Sequence, residues 1–363
     1  SDEAFHRVTK WLKDCTRHHT SCSVVETSLP TYTLDVGSVD TAEELRLVEN
    51  KNGTAKGLYV ALSYVWGVPF EEDLRQLYLC TGNKHDYLDR VPEEKLPQTL
   101  QDAVFATRKL GIRYLWIDAL CIIQDDKEFK KKEIMNMHRI FGDSHLTIQA
   151  AFTQTVYKGF LSRRTRHALS DQRLLYSRNS RTDSLSSTDE ACVFLRPAVP
   201  SVQEGPAGTR AWCYEEAVLP KRLLVYGKEQ MHYSCVDSGI WEGGSREKRG
   251  IYSTIRASRR APWFEGIPIP PTARTPDLKL DSLKLWYWAL DIFYTPRFLT
   301  RPADRLAAIA GVVRWLQNEI PGEYQVGLWT VDLPWGLLWT TRRGLGIKFR
   351  TRYRAPSWSW ASV

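Results

Sequence analysis

Apolar residues fall along this chain in two rhythms. In 57–67, GLYVALSYVWG, and 112–123, IRYLWIDALCII, they form short runs with hardly a charge, rich in β-branched and aromatic side chains. Such runs suit strands buried on both faces of a parallel sheet. In 96–111 and 125–143 the spacing is helical: Leu100, Ala103, Val104 and Thr107 share one face, as do Phe129, Ile134, Met137 and Phe141, and Gly111 stops the first helix. With a third strand at 145–151 the order is βαβαβ. The right-handed crossover rule makes that a parallel, doubly wound α/β sheet with helices on both faces.

Around this unit the pattern is less regular. Phe5, Val8, Trp11 and Leu12 predict a short N-terminal helix acting as a lid or brace, followed by an extended piece at 29–37 and a strand at 43–50 that turns at Lys51-Asn52-Gly53. From 153 to 208 the chain lapses into Arg, Ser and Thr, an insertion or mobile loop. A helix start at 209–220 and a strand pair at 223–235 follow, then a Pro-rich break at 261–276, two helices at 283–299 and 304–320, and a Trp-rich end. The expected division is 1–50 as a brace, 51–235 as the core, and 236–363 as a mixed C-terminal extension packed on it. The chain stops on Val363 inside an apolar run, as a piece excised from a longer protein would.

Composition narrows the classes without choosing among them. The 363 residues are 43% hydrophobic and 25% charged, which excludes wholesale disorder. Fourteen tryptophans and sixteen tyrosines suit a thick core or a ring-binding cleft equally. A net charge of +8 favours an anionic partner such as a nucleotide, a nucleic acid or a membrane surface, weakly, because it is scattered. The Lys130–Lys132 run reads better as a solvated helix face than as a nucleic-acid site. No apolar run approaches the ~20 residues of a spanning helix, and the start lacks the zones of a signal peptide, so the expected setting is intracellular and cytoplasmic. Seven cysteines, an odd number, predict free thiols. Cys15, His18, His19 and Cys22 invite a zinc reading, but a structural site needs four well-placed ligands and only one Cys/His cluster exists. A helix followed by a turn, with no metal, is the favoured reading.

The stretch 210–216, RAWCYEE, sets two adjacent carboxylates beside a tryptophan and a thiol. Glu216 either receives Arg210 or Arg222 in a buried ion pair or does chemistry, whereas Glu215, about 100° away around a helix, is either a second acid that tunes its neighbour or a solvated residue, with the solvated reading favoured. Asp118, placed inside a buried strand, either holds a ligand group or accepts backbone N–H groups. Trp66 and Gly67 stack on a base or close the core, with the core favoured, and Ser63 donates to a ligand or bonds locally. Cys121 and Cys213 have no histidine in their motifs and behave as small hydrophobes. Ligands of open α/β sheets bind beyond the carboxyl ends of the strands, which puts Ser63 to Gly67 and Asp118 to Asp125 at the expected cleft.

The segments YVALSYVWG (59–67), LPQTLQDAV (96–104), RYLWIDALCIIQDD (113–126) and RAPSWSWASV (354–363) together resemble the fungal HET, or heterokaryon incompatibility, domain family. WLKDCTRHHTSC (11–22), TRAWCYEEAVLPKRLL (209–224) and FLTRPADRLAAIAG (298–311) extend the likeness over most of the chain. Two positions depart from it: Glu215 where the family commonly has glutamine, and Val65 where it often has cysteine. The resemblance implies an intracellular fungal protein of self/non-self recognition and programmed cell death.

HET domains are in turn remotely similar to TIR domains, whose enzymatic members cleave nicotinamide from NAD with one glutamate set in a Trp-Cys-x-x-Glu pattern. Trp212-Cys213-Tyr214-Glu215-Glu216 has that spacing, so the resemblance implies Glu216 as the catalytic acid. It also implies a TIR-like fold and NAD as substrate with no further cofactor. The substrate-binding set is then Ser63, Tyr64, Trp66, Gly67, Asp118, Cys121, Gln124, Asp125, Trp212, Glu215 and Arg222. Expected partners are NAD or another small molecule, and a second copy of the chain or an upstream sensor, without a specific nucleic acid or a membrane span. Two alternatives stay open: a non-catalytic signalling module, and a biosynthetic enzyme, a cyclase or hydrolase, reusing the cleft for a secondary metabolite.

Overall fold

Nine strands form one mixed sheet in the computed structural model, which describes residues 1–38, 43–67, 77–162, 172–176, 191–195, 205–243, 246–247, 280–340 and 353–363. In chain order they are β1 (Tyr32–Asp35), β2 (Arg46–Glu49), β3 (Tyr59–Ser63), β4 (Tyr114–Trp116), β5 (Leu146–Gln149), β6 (Arg222–Tyr226), β7 (Met231–Cys235), β8 (Gly239–Trp241) and β9 (Arg246–Glu247). Across the sheet the order is β9-β8-β7-β6-β5-β3-β4-β1-β2. The four inner strands β6, β5, β3 and β4 are parallel, and the outer ones add antiparallel hairpins at both edges. The inner strands β3, β4 and β5 fall in runs with hardly a charge, and all five residues of β3 are buried, as strands covered on both faces require. β1 and β2, from the first fifty residues, and β7 to β9 belong to the same sheet as the core.

The principal helices are α1 (Asp2–His18), α2 (Gln98–Lys109), α3 (Asp118–Cys121), α4 (Lys127–Gly142), α5 (Trp212–Val218), α6 (Leu280–Trp288) and α7 (Ala310–Leu316). α1 buries Phe5, Val8, Trp11 and Leu12, the stripe read from its spacing, and also Cys15. Trp11 packs on Tyr233 of β7 and Phe5 meets Phe105 of α2, with ring centroids 6.1 and 5.8 Å apart. α4 begins where Asp126 accepts the N–H of Phe129 at 2.9 Å, a side-chain N-cap. α6 runs on into a wider π turn over Ala289–Tyr294.

Two expectations change. The run at 112–123 is not one strand: β4 ends at Trp116, and Asp118 opens the single helical turn α3. The physical reason is local, since Asp118 Oδ1 accepts the N–H of Ala119 at 2.7 Å while the amides of Leu120 and Cys121 fold back on the Ile117 carbonyl. The patternless 153–208 segment contains an antiparallel hairpin, Gln172–Tyr176 with Ala191–Leu195, and a turn of helix at Pro206–Thr209. Residues 163–171 and 177–190, and the Pro-rich break at 261–276, lie outside the described residues.

α7 packs on α4 and α5 closely enough to forbid a side chain at Gly311. A methyl group there would lie 2.3 Å from Glu215 Oε1 and 2.6 Å from His138 Cβ. Gly311→Ala is therefore expected to cost roughly 1–3 kcal/mol by overpacking, read as a lower urea midpoint at unchanged slope. An unchanged midpoint would mean that α7 does not sit against Glu215.

Candidate functional site

The inner parallel strands change winding direction between β3 and β5: β3 leads by way of α2 to β4 on one side, and β5 and β6 then follow on the other. At such a switch point the carboxyl ends of the strands leave a crevice. Here Ser63, the last residue of β3, is in register with Gln149, the last of β5. Gln149 Nε2 donates to Ser63 Oγ at 3.3 Å, and Ser63 Oγ donates to Glu216 Oε2 at 2.6 Å. Glu216 arrives on α5, which packs on both strands. One residue beyond Ser63, the Tyr64 hydroxyl donates to Asp118 Oδ1 at 2.7 Å.

Desolvation, with nearby Asp118 adding to it, pushes the Glu216 carboxyl up to about 7 against the Ser63 hydroxyl and the charge of Arg210, which favour its ionised form. Asp118 is also raised, chiefly by desolvation, against the hydrogen bonds from Tyr64 and Ala119. Two carboxyls are thus brought into one poorly solvated neighbourhood at the switch point, each steadied by a hydroxyl. Groups perturbed in this way, by burial plus a specific partner, cluster at functional sites.

Glu215 overturns its expectation. It is buried at 2% exposure, not solvated, and its Oε2 accepts the N–H of Gly311 at 2.9 Å. Desolvation raises its carboxyl to about 7. Adjacent positions on a helix separate by about 100°, but α5 packs on the sheet and against α7, so Glu215 is buried and Glu216 is half-buried. The ion-pair alternative for Glu216 also changes: its hydrogen-bond partner is Ser63, and Arg222 is used elsewhere.

Of the remaining predicted residues, some gather at this crevice and others do not. The Trp66 ring lies 5.0 Å from both Tyr64 and Tyr78, in an aromatic cluster above the end of β3. Gly67 has φ of +85°, and a Cβ there would fall 2.7 Å from Thr155 Cα, so the chain passes this point as glycine only. Gln124 braces the loop after α3, donating to the carbonyls of Asp118 and Ile122 and accepting from Lys130. Asp125 is exposed and accepts from Thr81. Cys121 and Cys213 are buried thiols pushed up by desolvation, as small hydrophobes are. Trp212 opens α5 and packs half-buried on the core.

Arg222 is the residue the sequence misplaces. It is the first residue of β6, at the amino ends of the parallel strands, where its guanidinium donates to the carbonyls of His145 and Cys22. That edge also holds a group the sequence reading left incomplete, in which Cys235 joins Cys15, His19 and Cys22. His18 stays outside, exposed, with Nδ1 on the Asp14 carbonyl. Gln149 and Gly311 were missed as well. A polar residue within the buried third strand was the available signal for Gln149; nothing local announced Gly311.

A cavity of about 430 Å³, lined by Phe152, Lys158, Phe160, Tyr226 and Lys228 among others, lies past the carboxyl ends of β5 and β6. Its 152–162 loop is fastened to the end of β3, since Val156 N–H donates to the Trp66 carbonyl at 3.0 Å. A second cavity, about 540 Å³ and lined by Glu43, Glu44, Arg90 and Arg108, shares no residue with the carboxylate site.

Raised carboxyl groups carry a stability signature. The folded state holds a proton on Glu215 up to about pH 7, whereas the unfolded chain loses it near the ordinary glutamate value of 4.5, so this contribution falls as pH rises from about 4.5 to 7. Buried His145 and His232, lowered to about 4 by desolvation, act in the opposite sense, which makes a variant-minus-wild-type difference the clean observable. Glu215→Gln keeps an acceptor for Gly311 and removes the charge. It is expected to gain roughly 2–3 kcal/mol over wild type on going from pH 5 to pH 8, measured by urea denaturation. A difference that does not grow with pH would mean that Glu215 is held ionised.

Among the described residues no helix is long and apolar enough to cross a membrane. Comparison with curated proteins and with solved structures gives no match. Comparison with protein-family models matches residues 59–216, from the first residue of β3 to Glu216, to the heterokaryon incompatibility protein (HET) family. The span that builds the carboxylate crevice is thus the part of the chain that is similar to the heterokaryon incompatibility (HET) family.

Proposed function

We propose that this chain serves heterokaryon incompatibility, fungal self/non-self recognition ending in cell death, as a TIR-like NAD glycohydrolase with Glu216 as its acid. The observation that carries the reading is the Ser63–Glu216 hydrogen bond at the β3/β5 switch point, 2.6 Å long, with Asp118 and Tyr64 beside it. The order β4-β3-β5-β6 of the parallel strands supports the TIR-like doubly wound arrangement in the same way.

The chemistry needs one well-placed carboxylate. The nicotinamide–ribose bond of NAD joins a cationic ring to the sugar; as it breaks, its electron pair goes to the ring, which leaves neutral, and positive charge builds on the ribose. A carboxylate facing that carbon stabilises the charge, and water then adds its oxygen and releases a proton, giving ADP-ribose. Glu216, half-protonated near neutrality in the free protein, is driven to its ionised form by the cationic ring, since an opposite charge at close range lowers a carboxyl pKa. The aromatic rings and the two lysines of the cavity past β5 and β6 suit a planar base and a pyrophosphate.

Nicotinamide release from NAD by the purified chain, measured over a range of protein concentrations, is expected to fall at least about 100-fold in Glu216→Ala. Below pH 7, kcat/KM should rise with pH, toward tenfold per unit, and level off above it, because the ionised carboxylate is the working form. No release at any concentration sinks the glycohydrolase and moves the reading to a signalling module or another substrate.

Ser63 donates to the charged form of Glu216, so its loss disfavours that form. Ser63→Ala is expected to move the acidic limb of the kcat/KM profile to higher pH while leaving measurable turnover at pH 9. A uniform loss at every pH would mark Ser63 as a substrate contact instead.

A further inference from the structure

Three buried thiols and an imidazole converge at the amino ends of the parallel strands, the opposite edge of the sheet from Glu216. The Sγ atoms of Cys15, Cys22 and Cys235 and a ring nitrogen of His19 all lie within 4.8 Å of one another, and His19 Nδ1 is 3.3 Å from Cys235 Sγ. We propose that Cys15, His19, Cys22 and Cys235 bind one structural zinc ion that fastens the N-terminal helix to the sheet.

Each ligand is delivered by a specific piece of backbone. Cys15 and His19 stand four residues apart, on one face at the end of α1, and the His19 N–H closes that turn on the Cys15 carbonyl at 3.0 Å. The 3₁₀ turn Thr20–Cys22 folds the chain back, with the Cys22 N–H on the His19 carbonyl at 3.1 Å. Cys235 ends β7, where its own N–H is held by the Ser238 carbonyl at 2.8 Å. Ser21 Oγ donates to Asp237 Oδ1 at 3.3 Å and ties the same two segments together at the rim, with Asp237 Oδ2 3.9 Å from Cys22 Sγ.

The dimensions suit zinc. Bond lengths of about 2.3 Å to sulfur and 2.0–2.1 Å to nitrogen in a tetrahedron imply ligand-to-ligand edges of roughly 3.5–3.8 Å, inside the observed spread. Thiolate-rich tetrahedral sets select zinc over the hard cations, and four protein ligands leave no open position, the mark of a structural site. All three cysteines are free thiols, and a disulfide would join only two of them.

Charge supplies an independent argument. Arg222 is 2% exposed, and its hydrogen bonds go to two neutral carbonyls, Cys22 among them, rather than to a carboxylate. A buried cation without an anion is costly. Binding displaces the three thiol protons to solvent, and a zinc ion with three thiolates and a neutral imidazole carries one net negative charge. Arg222, directly across the β6–β7 register from Cys235, forms no ion pair among the described residues and then faces an anion.

The test uses the whole chain purified under reducing conditions without chelator. Elemental analysis is expected to give about one zinc per chain, lost in Cys15→Ser and in Cys235→Ser and retained in Cys80→Ser, whose thiol lies outside the group. Cobalt(II) exchanged into the wild-type chain should show the strong visible bands of a tetrahedral site and a thiolate-to-cobalt charge-transfer band, a readout that needs no variant to fold. Removing zinc from wild type with a chelator should lower Tm. Three results would each overturn the proposal: a metal-free chain that takes up neither zinc nor cobalt, full zinc content in the Cys15→Ser/Cys235→Ser double variant, or a disulfide among the three cysteines of the chain purified without added reductant.

Discussion

Two carboxylates stand on consecutive residues of one seven-residue helix, Glu215 buried and Glu216 half-buried, and the surrounding structure is arranged to meet them. An isolated buried carboxyl is tolerated only if it is hydrogen-bonded or neutral, so each needs a donor at a fixed place. Glu216 finds the hydroxyl of Ser63 at the tip of β3; Glu215 finds the backbone amide of Gly311 on α7. These two bonds hold α5 between the central sheet and the C-terminal helices, and they set the requirement for glycine at 311, where a methyl would strike the Glu215 carboxylate. Local chemistry on α5 thereby links a residue near the start of the family match to one almost a hundred positions beyond its end.

Much of the central architecture was legible because burial on both faces writes itself into sequence. The runs behind β3 and β5, the helical stripes of α2 and α4 and the hairpin of β6 with β7 all follow from periodicity and turn residues. Failure came where a single polar contact overrides the pattern. The run at 112–123 is apolar enough for a strand, yet the Asp118 carboxylate captures its own following amide and turns the chain into α3. Expecting Glu215 in water assumed an α5 with a free side, and only tertiary packing of α7 removes that side. The placement of Arg222 failed for a related reason: an arginine close to two glutamates in sequence suggests an ion pair, but it heads a strand and points to the opposite edge of the sheet from them.

The cysteine and histidine residues show the same limit in its plainest form. Cys15, His19 and Cys22 are close in sequence and could be read as three corners of a ligand set. The fourth corner, Cys235, is supplied by the way β7 returns antiparallel along β6, bringing the end of the hairpin to the level where β6 begins. His18, adjacent in sequence, is excluded because consecutive helical residues point about 100° apart and only His19 shares the face of Cys15.

The two edges of the sheet divide the work by charge. At the amino ends Arg222 is held among carbonyls and thiols; at the carboxyl ends Glu216 and Asp118 are held among hydroxyls. In both places a charged side chain, buried at Arg222 and half-buried at Glu216 and Asp118, forms no ion pair among the described residues, an arrangement that a ligand of the opposite sign would complete. The proposed NAD substrate would meet this condition at the carboxylates, because positive charge builds on its ribose as it reacts. Such a substrate is anionic overall and carries its cationic ring at one end only, and on that proposal Lys158 and Lys228 of the cavity past β5 and β6 would take its anionic end. On that proposal a carboxylate site and a lysine-lined cavity would together favour an elongated substrate with opposite charges at its two ends over a uniformly charged one.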